Sequence, residues 1–158
     1  MNLFDSRQVK RSRTLRIDGR VDDVFHLFDP IGEKMWSEDW NPTFVFPTSG
    51  VREGGVFVTR GSDGTEAVWV IMTFDANSRS IVYTSVTPNF KVSVIEINCR
   101  PTGANRTSAH VTYTVTALSE KGNQYVESFS NDYYLEMMKH WEKAINHYLQ
   151  HGRALRHH

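Results

Sequence analysis

Two histidines four residues apart, His147 and His151, and five scattered ionisable side chains, His26, Glu33, Glu66, Glu96 and His110, are the residues of this 158-residue chain with types suited to chemistry. Imidazoles at i and i+4 share one helix face and could hold a metal, but no carboxylate or third imidazole accompanies this pair. The pair also sits at the fraying end of a predicted helix, so neither a metal nor any other cofactor is expected. A carboxyl or imidazole held against apolar walls has a shifted proton affinity, and could polarise a carbonyl or move a proton as a cyclase or dehydratase requires. The five candidates are far apart in sequence, and each is expected on the surface. There is no GxSxG elbow, Walker loop or GxGxxG turn; Gly54, Gly55, Gly61 and Gly64 fall at hairpin turns, where glycine supplies positive φ. A single cysteine, Cys99, excludes an internal disulfide and any CxxC motif.

The element that must position such groups is the stretch from Ser130 to Gly152. Tyr134, Met138, Trp141, Ile145 and Tyr148 step by four, three, four and three residues, which makes one apolar stripe on a helix. Glu136, Lys139, His140, Lys143, Asn146, His147 and Gln150 form the opposite, water-facing side. Ser130 or Asn131 can cap its start, and Gly152 is placed to end it. At about 1.5 Å per residue, such a helix spans roughly 30 Å, the width of a small domain.

Earlier in the chain, Ser12 to Arg20 alternates as a half-buried strand, with Leu15 and Ile17 on one side. Val21, Val24, Phe25 and Phe28 then follow helical spacing, with Asp22 available as a cap. Asp29-Pro30 opens a second short helix, from Ile31 to about Glu38, which stops before Asn41-Pro42. From Thr43 to Leu118 the chain is strand-like. Turn signals at Thr48-Ser49-Gly50, Glu53-Gly54-Gly55, Gly61 to Gly64, Asp75 to Ser78, Pro88-Asn89 and Pro101-Thr102-Gly103 divide it into six strands of an antiparallel meander. Ile95, Ile97 and Cys99, and then Ala109, Val111, Tyr113, Val115 and Ala117, are placed inward, as are Trp69 and Ile71. The order is strand, two short helices, six strands, long helix: an α+β domain in which a curved seven-stranded antiparallel sheet wraps around a long C-terminal helix, leaving a cavity between them.

Eighteen basic and eighteen acidic residues cancel, so no long-range field favours nucleic acid. Lys10, Arg11, Arg13, Arg16 and Arg20 read as a solvated strand face. No stretch approaches the twenty or so apolar residues of a membrane span, and MNLFDSRQ lacks a signal-peptide core, so a cytoplasmic protein with no stable membrane insertion is expected. Residues 1–158 read as one domain with a disordered tail at 153–158, and homodimerisation stays open.

The segments Glu33-Lys34-Met35-Trp36-Ser37-Glu38-Asp39-Trp40-Asn41-Pro42, Val68-Trp69-Val70, Thr116 to Asn123 and Met138-Lys139-His140-Trp141-Glu142, in this element order, resemble the SRPBCC, or START-like, superfamily from about Thr14 to Leu149. The resemblance implies the helix-grip fold, with a pocket that in different members holds lipids, sterols, hormones or polyketide intermediates. It supplies no shared catalytic signature. The pocket is expected to include Trp36, Trp40, Phe57, Trp69, Tyr83, Ile95, Tyr113, Tyr134, Met138 and Trp141. For Trp36 and Trp40, a lid over the pocket and a staple between short helices and sheet are both open. The expected partner is a small hydrophobic molecule, lipid or polyketide-like, held by a carrier or sensor. A polyketide cyclase or dehydratase is the alternative, and an interaction module like the chaperone-ATPase-activating branch is a third.

Overall fold

The computed structural model describes residues 4–156. Its elements are β1 (Gln8–Ile17), α1 (Val21–Phe25), two 3-10 turns (His26–Phe28 and Gly32–Met35), β2 (Thr43–Phe46), β3 (Val56–Arg60), β4 (Glu66–Asp75), β5 (Ser80–Thr87), β6 (Lys91–Gly103), β7 (Arg106–Ala117), α2 (Glu120–Ser128) and α3 (Asn131–His151). The seven strands form one antiparallel sheet in the order β1-β7-β6-β5-β4-β3-β2. This is the expected α+β arrangement, with the sheet curved around the long C-terminal helix.

Strict alternation explains which face is buried. Ile95, Ile97 and Cys99 on β6 and Ala109, Val111, Val115 and Ala117 on β7 lie inside, as do Leu15 and Ile17 on β1. A register shift between Ile71 and Thr73 inserts an extra residue into β4. The bulge passes the inward side from Trp69 and Ile71 to Phe74, which meets Phe25 of α1 at 5.6 Å between ring centroids. That also accounts for the double-sided apolar look of this strand in sequence. Pro101 and Thr102, read as a turn, belong to β6 instead; the irregularity between Pro101 and Gly103 lets the strand run to Gly103 before it reverses.

α3 follows its predicted stripe. Tyr134, Met138 and Ile145 are buried, and Trp141 and Tyr148 pack partly buried against the same core. Ser130 caps it by accepting a bond from Tyr133 N at 3.0 Å, and Gly152 ends it at φ 72°. Asn146, in the water-facing set, also bonds to the chain. Asn146 accepts from Asp18 N at 2.8 Å and donates to Arg16 O at 3.1 Å, while Glu142 accepts from Arg16 N at 2.6 Å. α3 therefore grips the free edge of β1 with side chains as well as covering the sheet.

Two local expectations need correcting. α1 is capped by Arg20 without a side-chain bond, and Asp22 instead pairs with Arg79 at 3.0 Å. The second short helix is reduced to the 3-10 turn Gly32–Met35, whose entry is fixed by Asp29 Oδ1 accepting from Ile31 N and Gly32 N. The helix α2 is an addition, capped by Ser119 Oγ through Gly122 N. In the C-terminal tail Ala154 and Leu155 are half-buried, while His157 and His158, like the first three residues of the expected leaderless N-terminus, lie outside the described residues.

Candidate functional site

Two groups of aromatic rings face the interior. Trp40, Phe44, Phe57, Trp69 and Tyr83 make the first, with Phe57 stacked on Trp69 at 5.6 Å and Trp40 edge-on to Trp69 at 5.3 Å. Phe28, Trp36, Trp141, Tyr113, Tyr134, Phe129 and Tyr125 make the second, in which Trp36 and Tyr113 meet Trp141 at 5.6 and 6.1 Å. No ring contact joins the two groups among the described residues. Ile95 separates them on the sheet, paired with Tyr83 on one side and Tyr113 on the other. The structure thus brings nine of the ten predicted lining residues, all but Met138, to these two walls and the floor between them. Met138 is fully buried on α3, one helical turn from Tyr134.

Most polar tips in the walls are already engaged. Tyr83 donates to Phe28 O and Tyr134 to Val111 O, both at 2.6 Å. Trp36 Nε1 donates to Leu27 O at 2.7 Å, Trp40 Nε1 to Pro30 O at 2.9 Å, and Trp69 Nε1 to Thr59 Oγ1 at 2.9 Å. For Trp36 and Trp40 this geometry is that of a staple: each indole ties the β1–β2 connection and simultaneously packs on a wall. The Tyr113 hydroxyl, Trp141 Nε1 and the Glu33 carboxyl make no protein hydrogen bond among the described residues, although every fully enclosed side-chain polar atom there has a partner. These three groups therefore border space that another molecule's atoms can enter.

Of the five ionisable candidates, only Glu33 turns inward. His26, Glu66, Glu96 and His110 are exposed, with Glu66 paired to Arg60 and His110 bonded to Thr14. The Glu33 residue keeps some contact with solvent, but it is the carboxyl that titrates, and protein crowds it. Burial, and then the neighbouring charge of Asp29, push its pKa up to about 8. Its charge in turn acts on both Tyr83 and Tyr113, whose hydroxyls are raised first by burial and then by Glu33. Glu33 thus sits electrostatically between the two aromatic walls. Asp29 is raised by burial as well, but Oδ1 is committed to two backbone amides and Oδ2 lies 3.7 Å from His26 Nδ1.

Rings enter the interior from the sheet, the β1–β2 connection and α3. Three clefts, of about 770, 450 and 430 Å3, open on the outside of the molecule. The first lies between the β1 edge, the β6–β7 hairpin and α3, and none of the three touches a predicted lining residue. The His147 and His151 rings lie 4.4 Å apart and tilted by 41°, and the described residues contain no group of three metal-binding side chains. No helix among them is long and apolar enough to cross a membrane.

No protein-family model matches the sequence, and no curated protein is significantly similar to it. Solved structures match over nearly the whole chain. Norcoclaurine synthase from Thalictrum flavum, in complex with dopamine and hydroxybenzaldehyde, is 13% identical at a TM-score of 0.63, over 92% of this chain and 89% of its own. An aromatase/cyclase from a Streptomyces species is 12% identical at 0.65, over 96% and 100%. A major latex-like protein from Panax ginseng is 16% identical at 0.64, over 89% and 97%. With this strand order, this closing helix and these whole-chain matches, the protein has the helix-grip fold.

Proposed function

We propose that the protein binds a small, apolar, ring-containing molecule between the two aromatic walls, as a carrier or sensor. The observation that carries this reading is the contrast inside the site: an aromatic interior in which most polar tips are engaged by protein, while those of Glu33, Tyr113 and Trp141 make no protein hydrogen bond among the described residues. Flat rings stack against such walls at little entropic cost, and a few polar groups fix orientation. Two proteins of the same fold support the ligand class by name, a synthase solved with two small aromatic molecules and an aromatase/cyclase.

All four tryptophans of the chain belong to the walls, so their fluorescence reports on occupancy directly. Native mass spectrometry of the protein purified from cells, followed by fluorescence titration with a panel of aromatic and polyketide-like molecules, tests the reading. A retained small molecule, or saturable quenching, is expected; a panel that leaves all four tryptophans unchanged, with no retained mass, rejects it.

A second reading, a cyclase or dehydratase, rests on Glu33. A carboxyl with pKa about 8 is largely protonated at neutral pH and is a proton donor beside the free Tyr113 hydroxyl. Turnover of a panel molecule, lost in Glu33→Gln, would convert the carrier into an enzyme.

A further inference from the structure

Four polar side chains share the concave face where the sheet passes beneath α2: Ser85 and Thr87 on β5, and Lys91 and Ser93 on β6. Ser85 pairs with Ser93, and Thr87 with Lys91, two and four residues along from the Tyr83–Ile95 pair and so on its face. The three hydroxyl residues are buried, at 5%, 7% and 4% exposure for Ser85, Thr87 and Ser93. Lys91 is half-buried, with Nζ 3.5 Å from Ser93 Oγ, 4.9 Å from the ring centre of Tyr125 and 5.9 Å from that of Phe90.

This ammonium has no carboxylate partner among the described residues. The ion pairs among the described residues involve other side chains, and burial pushes the Lys91 amine below its usual 10.5 without an acidic neighbour to restore it. Nor do the Ser85 and Thr87 hydroxyls bond to protein among the described residues, yet no fully enclosed side-chain polar atom there lacks a partner. Both hydroxyls therefore touch space open to a water-sized atom. Serines also stand where larger side chains would close the face: in the row Trp69, Ser85, Ser93, Val115, two small residues lie between an indole and a valine. A buried hydroxyl costs stability unless it finds an acceptor, and a desolvated ammonium costs more unless it finds an anion. One group answers both.

We propose that Lys91, with the hydroxyls of Ser85, Thr87 and Ser93, forms a subsite for the carboxylate of a ring-bearing acid, whose ring lies between the aromatic walls. The subsite rests on the ring-ligand reading above and adds to it the charge and length of the ligand. The Lys91 ammonium, beside Tyr125 and beside Phe90, whose ring Lys121 Nζ also approaches at 5.8 Å, matches a compact negative charge. Lys91 lies opposite Ala117, four residues from Tyr113 along β7, which is about 13 Å of strand. The acid therefore carries its charge about 10 Å from the far end of its ring.

The test titrates the full chain with phenylhexanoate and with its neutral amide, following tryptophan fluorescence and calorimetry. The acid is expected to bind at least about tenfold more tightly than the amide, a ratio lost in Lys91→Met and Lys91→Gln and kept in Lys91→Arg. Thermal unfolding of each variant shows which of them are folded, and the two neutralising variants give independent chances of a folded one. Equal binding of acid and amide to the unmodified protein overturns the subsite alone and leaves the ring-ligand reading standing. A preference for the acid that survives in a folded Lys91→Met or Lys91→Gln also overturns the subsite. Binding of neither molecule overturns the ring-ligand reading, and the subsite with it.

Discussion

Tyr83 on β5 donates its hydroxyl to the backbone carbonyl of Phe28 at 2.6 Å, so the centre of the sheet is tied to the turn that leads into Glu33. The bond is buried, and its acceptor begins the connection that Asp29, Trp36 and Trp40 hold by further bonds to backbone. Tyr83→Phe leaves that carbonyl without its donor and should cost about 1–2 kcal/mol in denaturant-induced unfolding. An unchanged midpoint would mean that the connection is held without the sheet's help.

Glu33 gives stability a pH dependence of definite sign. Its pKa is raised from 4.5 to about 8, so the folded state holds a proton that the unfolded state has released between those values. Stability is then highest below about pH 4.5 as far as this group is concerned, falls as pH rises, and levels off above about 8, losing a few kcal/mol in total. Glu33→Gln should flatten this slope. Equal slopes in the two proteins, measured by urea unfolding across that range, would place the carboxyl in water.

Trp141 contacts Phe28, Trp36 and Tyr113 from the middle of α3 while remaining partly exposed. Trp141→Ala should cost about 2–4 kcal/mol, at the lower side of what a fully enclosed tryptophan loses. Thermal unfolding that loses less than 1 kcal/mol would show that the second aromatic wall stands without α3.

Gly122 marks where α2 touches the β5–β6 hairpin. A Cβ built there would lie 2.0 Å from Phe90 O, so Gly122→Ala must push the helix off the sheet. The expected penalty is about 2 kcal/mol or more, read as a lowered unfolding temperature. Wild-type stability in this variant would mean that α2 shifts freely over the hairpin.

The sheet and α3 were legible in sequence because their burial follows a simple period: two for Ile95, Ile97 and Cys99, and three to four for Tyr134, Met138 and Trp141. α2 was not. In Glu120–Ser128 a glycine and an asparagine are buried, and neither belongs to an apolar pattern. Both are buried by distant contacts: Gly122 by the Phe90 carbonyl, and Asn123 by bonds to Asp5 O at 2.8 Å and Arg7 N at 2.9 Å. The rings of the two walls were visible because aromatic side chains announce themselves. Glu33 stood in sequence beside four other candidates, and only the 3-10 turn entered through Asp29 turns it inward. Ser85, Thr87, Lys91 and Ser93 form no motif in sequence, since their grouping depends on strand pairing and on the closing of α2 over that face, which are tertiary events.

The bonds from Glu142 and Asn146 to Arg16 and Asp18 also bear on how copies of the chain can meet. An outermost strand normally offers a row of amides and carbonyls onto which a foreign strand can dock and extend the sheet into the next molecule. Here the last stretch of that row is occupied by the molecule's own helix. Growth of the sheet across β1, whether into an ordered pair or a fibril, must first strip those side chains away, so self-association by that route is blocked where β1 meets α3.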